Sequence, residues 1–181
     1  MTDRVALITG GARRIGAAIA EALHRAGFNV VVHFRTSKQA ALALRQRLEA
    51  WRPDSVRLVH AELSSVNAVE SLVAEAVGSW GRLDVVVNNA SAFYPTPLGE
   101  TSEAQWEELL ASNLKAPFFL SQAAFPQLRR WNGCIVNLTD VYGLRPRPGY
   151  PVYSVAKAGL AALTRSLALE MAPDVRVNAV A

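Results

Sequence analysis

The chain predicts a single α/β domain, a doubly wound parallel sheet with helices on both faces. Three observations carry this. Six short apolar runs alternate with longer segments of helical period. Several of those runs are apolar at nearly every position, as strands buried on both faces must be. A glycine-bearing turn separates the first run from the first helical segment. Strands alternating with helices and joined by right-handed crossovers give a parallel sheet. With 181 residues, 51% of them hydrophobic, the chain suffices for one core. No linker, repeat or low-complexity tract divides it.

The elements follow in order. The run at 4–9 leads into a helix predicted over 14–26, with Gly27 placed just past its end. Runs at 29–34 and 56–60 precede helices predicted over 37–50 and 65–80. The run at 84–88 precedes a long helical segment, 103–129, which Thr101 or Ser102 can cap. Pro117 inside that segment predicts a kink or break. The run at 133–138 precedes a helix over 152–171, rich in small residues (Ala156, Ala158, Gly159, Ala161, Ala162) that permit close packing. The sixth run, 175–180, stands at the end of the sequence, and a sheet strand in that position predicts a further segment to cover it.

Composition narrows the partners. The net charge of +4 comes mainly from scattered arginines and forms no basic run. Such a balance suits phosphorylated small molecules, and no nucleic-acid recognition motif accompanies it. Cys134 is the only cysteine, which excludes an intrachain disulfide and a cysteine metal cluster. His24, His33 and His60 lack paired metal-ligand spacing. No apolar run approaches membrane-spanning length, and no secretory segment opens the chain. The expectation is a soluble cytoplasmic protein without metal, membrane or nucleic-acid partner.

The turn Thr9-Gly-Gly-Ala-Arg-Arg-Ile-Gly16 lies after a strand and opens a helix. Gly10 permits the tight turn and Gly16 close helix–sheet packing, so the amides of the helix start face a pyrophosphate. Arg14, preceded by Arg13, stands where a third glycine is common. It either reaches a bound anion or electron-rich ring or is a solvated helix-start residue. The second strand ends His33-Phe-Arg-Thr-Ser-Lys38, without the acid that would hold a ribose 2′-hydroxyl. Arg35, Ser37 and Lys38 suit a 2′-phosphate, so NADPH is the expected cofactor; Lys38 reads equally as a solvated helix start.

Asp140 follows the fifth run, and Tyr153 and Lys157 stand four residues apart on a predicted helix. That spacing puts phenol and ammonium on one face. A proton donor beside a cation at a strand's carboxyl end suits reduction of a carbonyl or a polar heterocycle. Alternative readings place Asp140 as a turn cap, Phe93 in the core and Asn113 on a solvated helix face.

Thr9-Gly10-x5-Gly16, Asn88-Asn-Ala90, Asn113 and Tyr153-x3-Lys157 stand in the order used by short-chain dehydrogenases/reductases, which the chain resembles along its whole length. The resemblance implies a Rossmann-like fold. Arg14, the run Asn89-Ala-Ser-Ala-Phe-Tyr-Pro-Thr-Pro97 and Asp140, where most of the superfamily has serine, resemble the pteridine reductase branch. The implied activity is NADPH-dependent reduction of a dihydropterin, biopterin or dihydrofolate. A keto/alcohol reductase and a non-catalytic NADP-binding regulator are the alternatives. By this resemblance Tyr153 donates a proton, and Lys157 binds the nicotinamide ribose and lowers the phenol's pKa. Asn113 holds a relay water, and Asp140 positions Tyr153 and helps protonate the pterin. Asn89, Ala90 and Ser91 line the cofactor, with Ser91 also near substrate. Phe93 stacks on the pterin, and Arg14 bridges it to the cofactor phosphate. Ile15, His33, Phe34, Glu62 and Leu63 complete the cofactor set, with Glu62 reaching for the adenine amino group. Family members associate as homodimers or homotetramers through the helices at 103–129 and 152–171.

Overall fold

The computed structural model of the protein describes residues 4–181. Six strands form one parallel sheet: β1 (Val5–Ile8), β2 (Asn29–Phe34), β3 (Val56–His60), β4 (Val85–Asn88), β5 (Cys134–Leu138) and β6 (Arg176–Val180). Their order is β3-β2-β1-β4-β5-β6. Every expected strand is present, displaced by no more than one residue at either end. β1, β2 and β4 are buried at every position, which explains their continuous apolar character. Along them alternate side chains enter opposite layers. Leu7, Val31, Val86 and Ile135 face one core, and Ile8, Val30, Val32 and Val87 the other.

Helices α1 (Arg14–Arg25) and α2 (Lys38–Glu49) cover the second of these cores. Helices α3 (Val66–Trp80), α5 (Ala116–Arg130) and the far end of α6 (Pro151–Glu170) cover the first. The stripe Ala116, Leu120, Ala124 and Leu128 runs down one side of α5 at a spacing of four, the repeat a helix needs to keep one face inward.

The segment expected as one helix at 103–129 is three pieces: α4 (Glu103–Leu110), a single π-helical turn (Ala111–Lys115) and α5. Ser102 starts it with a capping box closed by Gln105. Pro117 supplies the reason for the break. It has no N–H to offer the carbonyl of Asn113, and its ring crowds that carbonyl, so the ladder widens just before it. The disruption falls on Asn113 rather than on the proline itself.

A buried polar chain ties the sheet to α6. The Asn88 amide donates to Asn137 Oδ1 at 2.8 Å, Asn137 donates to Thr164 Oγ1 at 2.9 Å, and Thr164 donates to the Leu160 carbonyl at 2.8 Å. Among the described residues no helix is long and apolar enough to cross a membrane. The strand order departs in opposite directions from β1 and β4, and in such sheets the crevice at their carboxyl ends receives ligands. Asn137→Ala removes the middle of the polar chain and strands a buried amide. It is expected to lower the unfolding free energy by about 2–3 kcal/mol in a urea titration.

Candidate active site

The loops leaving β1 and β4 are clamped together by Thr9. Its hydroxyl donates to the Val87 carbonyl at 3.2 Å and accepts from the amides of Asn89 and Ala90, each at 3.0 Å. The Asn89 side chain returns two bonds, to the Thr9 carbonyl at 2.9 Å and the Gly10 carbonyl at 3.1 Å. Gly16 packs so tightly here that an added Cβ would lie 2.3 Å from the Gly10 oxygen. Arg13 caps α1 without a side-chain bond, which leaves the first-turn amides facing the crevice, as an anion requires. Arg14 adopts φ +49°, a left-handed conformation that costs a non-glycine residue energy and recurs at functional sites.

His33 supports the loop from below. Its Nδ1 accepts from the Gly10 amide and its Nε2 pairs with the Ala61 carbonyl, both at 3.1 Å. The ring is 2% exposed, and burial pushes its pKa down, so it is neutral with the proton on Nε2. Both nitrogens are engaged within the protein. His33 therefore serves a ligand by shaping Gly10 rather than by offering a ring nitrogen.

Two cavities meet at this loop. The first, about 200 Å³, is lined by His33, Phe34, Arg35, Glu62, Leu63 and Glu108 among others. The second, about 770 Å³, is lined by Arg14, Ile15, Gly16, Asn89, Phe93, Asp140, Tyr153 and Lys157 among others. Gly10, Arg13, Ser37, Ala90 and Ser91 line both, so one continuous groove crosses the start of α1. A long ligand with a central pyrophosphate fits that shape and its donor set. Lys38 lines neither cavity. The end of the second strand carries no acid, as its sequence shows, but two acids reach Arg35 from other elements. Glu62 and Glu108 each place a carboxylate oxygen 3.8 Å from its guanidinium.

The reactive residues converge at the second cavity. Tyr153, 4% exposed, donates its phenol proton to Asp140 Oδ2 at 2.8 Å. Asp140 Oδ1 accepts from the Tyr142 amide at 2.9 Å, so the carboxylate also caps the short turn at Val141–Gly143. Capping and holding Tyr153 are simultaneous. Lys157, 3% exposed, donates to the Leu138 carbonyl at 2.8 Å and lies 5.6 Å from the Tyr153 ring centre. The expected lowering of the phenol's pKa is reversed: burial, then the bond to Asp140 and its charge, push Tyr153 well above the usual phenol range. Burial lowers the Lys157 ammonium to about 8, against the pull of Asp140.

Asn113 is 1% exposed, not on a solvated face. From the π turn its amide donates to the carbonyls of Leu109 at 2.9 Å and Ala92 at 3.0 Å, while Oδ1 accepts from the Ser91 hydroxyl at 2.7 Å. It thereby fixes the loop after β4 at Ser91. Phe93 is 50% exposed, which removes the core reading. Its ring stacks on Tyr150 at 4.8 Å and 8°, and meets Tyr153 edge-on at 4.8 Å. Tyr150, Tyr142 and Glu108 were not anticipated; for the tyrosines, the aromatic residues flanking the proline-rich stretch before Tyr153 were the available signal.

The Lys157 pKa lies below its unfolded value, so the folded state gains stability as pH rises from about 8 toward 10. Above pH 10 Tyr153 acts oppositely, because its folded pKa is raised. Melting temperature is expected to climb between pH 8 and 10. Lys157→Met should flatten that rise and be more stable at pH 7 by roughly 2–3 kcal/mol.

The family model for short chain dehydrogenase matches residues 4–181. Pteridine reductase 1 of Leishmania tarentolae is 38% identical over 99% of this chain and 75% of its own length. A probable galactose dehydrogenase of Rhizobium meliloti is 38% identical over 99% of the chain and 71% of its own length. A 3-oxoacyl-[acyl-carrier-protein] reductase of Staphylococcus aureus is 39% identical over 97% and 72%. The chain belongs to the short-chain dehydrogenase family of nicotinamide-dependent oxidoreductases.

Proposed function

We propose that the chain reduces a pterin of the dihydropterin, biopterin or dihydrofolate class, with NADPH as the cofactor. The observation that carries this is the Asp140 carboxylate bonded to the Tyr153 phenol at 2.8 Å, beside the exposed ring of Phe93. Ketone reduction builds negative charge on oxygen, which a neighbouring carboxylate opposes. Reduction of a C=N bond needs a proton on nitrogen, which a phenol–carboxylate pair delivers.

Bound NADPH supplies the hydride. Tyr153 carries its proton at neutral pH, as any unionised phenol does, and burial and Asp140 keep it there until a basic nitrogen of the substrate accepts it. Asp140 orients that proton and takes part in passing it to the ring nitrogen. Lys157, anchored on Leu138, balances the carboxylate's charge and holds the nicotinamide ribose. Asn113 sets Ser91 at the junction of the two cavities. Gly10, Arg13 and the first turn of α1 hold the pyrophosphate. Arg35 and Ser37 hold the 2′-phosphate, and Glu62 and Leu63 flank the adenine. Asn89 and Ala90 would line the nicotinamide half of the groove, and Phe34 and Ile15 bound it. Arg14 bridges phosphate and substrate, and Phe93 covers the ring. Homodimers or homotetramers would form through the helices at 103–129 and 152–171, where Phe118 and Val155 are exposed.

A keto reductase is the second reading, favoured by relatives named for galactose and 3-oxoacyl substrates at equal identity. NADPH consumption with dihydrobiopterin, dihydrofolate and a panel of ketones decides between them. Turnover of ketones alone would overturn the pterin reading, and NADPH binding without any turnover would favour a regulator. Asp140→Ser is expected to slow pterin reduction at least about 100-fold while leaving NADPH affinity unchanged. Arg14→Gly should raise stability by about 1 kcal/mol in thermal unfolding by relieving its positive φ, and raise KM for the pterin.

A further inference from the structure

Arg35 is shared equally. Its Nη1 lies 3.8 Å from Glu62 Oε2 and 3.8 Å from Glu108 Oε1, at the rim of the first cavity. All three side chains are about half exposed, so neither contact alone is strong. Together they make a bracket of net charge −1 at the end of β2, where nucleotide-binding sheets discriminate the ribose 2′-substituent. A 2′-phosphate dianion there needs Arg35 and is repelled by both acids. Glu62 stands beside β3 and has a reading at the adenine. Glu108, from the last turn of α4, has none.

Glu108 also reaches the other way. Its Oε2 accepts from the Tyr94 phenol at 2.9 Å. Tyr94 follows Phe93 and packs against the small cluster of Leu109, Val152 and Tyr153. The phenol that donates to Glu108 withdraws charge from the carboxylate and so weakens its hold on Arg35. Tyr94, Glu108 and Arg35 thus form one line from the loop that carries Phe93 to the 2′ position of the cofactor.

We propose that Glu108 is a specificity-determining residue for the cofactor: it competes with the 2′-phosphate for Arg35, and Tyr94 sets the strength of that competition. The inference rests on the reading of the first cavity as the site of an NADPH adenosine. By linkage, any shift of the loop that breaks the Tyr94–Glu108 bond weakens 2′-phosphate binding, and 2′-phosphate binding biases that loop in return.

Calorimetric titration with 2′,5′-ADP and 5′-AMP tests this without turnover, and 5′-AMP serves as a check that each variant is folded. Glu108→Gln is expected to raise the preference for 2′,5′-ADP about three- to tenfold, with 5′-AMP affinity unchanged. Tyr94→Phe should lower that preference about twofold, and the double variant should match Glu108→Gln, since the phenol acts only through the carboxylate. An unchanged or smaller preference in Glu108→Gln overturns the inference, as does a Tyr94→Phe effect that persists without Glu108. Arg35→Gln separates the two levels. Preference retained in Arg35→Gln overturns the assignment of the 2′-phosphate to Arg35 together with the inference. Preference lost there but unmoved in Glu108→Gln overturns the inference alone.

Discussion

The hydroxyl of Thr9 is the joint on which the site depends. β1 and β4 are hydrogen-bonded neighbours whose following loops part in opposite directions, and a crevice is only as precise as the gap between those loops. Thr9 spends its donor on the carbonyl of Val87 and accepts the amides of Asn89 and Ala90. Asn89 answers with two bonds to the backbone of Thr9 and Gly10. The phosphate-facing turn and the loop bearing Ser91 and Phe93 are therefore one rigid piece. The absence of a side chain at Gly16 follows from this closeness, because a Cβ there would strike both Gly10 and Asn89.

What was legible in the sequence was local. The strand at β2 announces itself by the apolar residues Val30, Val31, Val32 and Phe34. The pair Tyr153 and Lys157 announces itself by helical spacing, and Gly10 and Gly16 by their place between a strand and a helix. What stayed illegible depends on pairs distant along the chain. Arg35 meets Glu108 across 73 positions of sequence, and no periodicity encodes that approach. Pro117 signalled a break, but only the backbone shows that the widened turn falls on Asn113 and buries it. The sign of the Tyr153 shift was misjudged for a related reason. The cation four residues away is obvious in the sequence, whereas the burial and the hydrogen bond to the carboxylate thirteen residues upstream, which raise the phenol, require coordinates.

Those competing effects define the electrostatics of the centre. A phenol that donates to a carboxylate keeps its proton, and an ammonium buried to 3% exposure loses part of its own preference for charge. Tyr153 and Lys157 are thus pushed toward neutrality by burial, and Asp140 influences both. It raises the phenol by accepting from it and supports the ammonium by its charge. Replacing this carboxylate by a neutral hydroxyl would remove the charge that raises the phenol's pKa and the charge that supports the ammonium. In the proposed reaction, the residue at position 140 would decide what kind of developing charge the site tolerates.

The aromatic wall beside that centre bears on the proposed ligand by different chemistry. The amide of Thr96 donates to the Gly149 carbonyl at 2.7 Å, binding the loop after β4 to the loop before α6. Across this joint Phe93 stacks on Tyr150, and the Arg147 guanidinium lies 5.0 Å from the same tyrosine ring while bonding the Tyr142 hydroxyl at 3.0 Å. Rings braced in this way present a flat, stiff surface beside Tyr153. A flexible acyl chain gains little from such a surface beyond burial of area. A planar heterocycle gains about 0.5–1.5 kcal/mol more from each stacked pair. Proton delivery through Asp140 and stacking at Phe93 arise from different elements, β5 and the loop after β4. Under the proposed reading, a planar, nitrogen-bearing ring would use both.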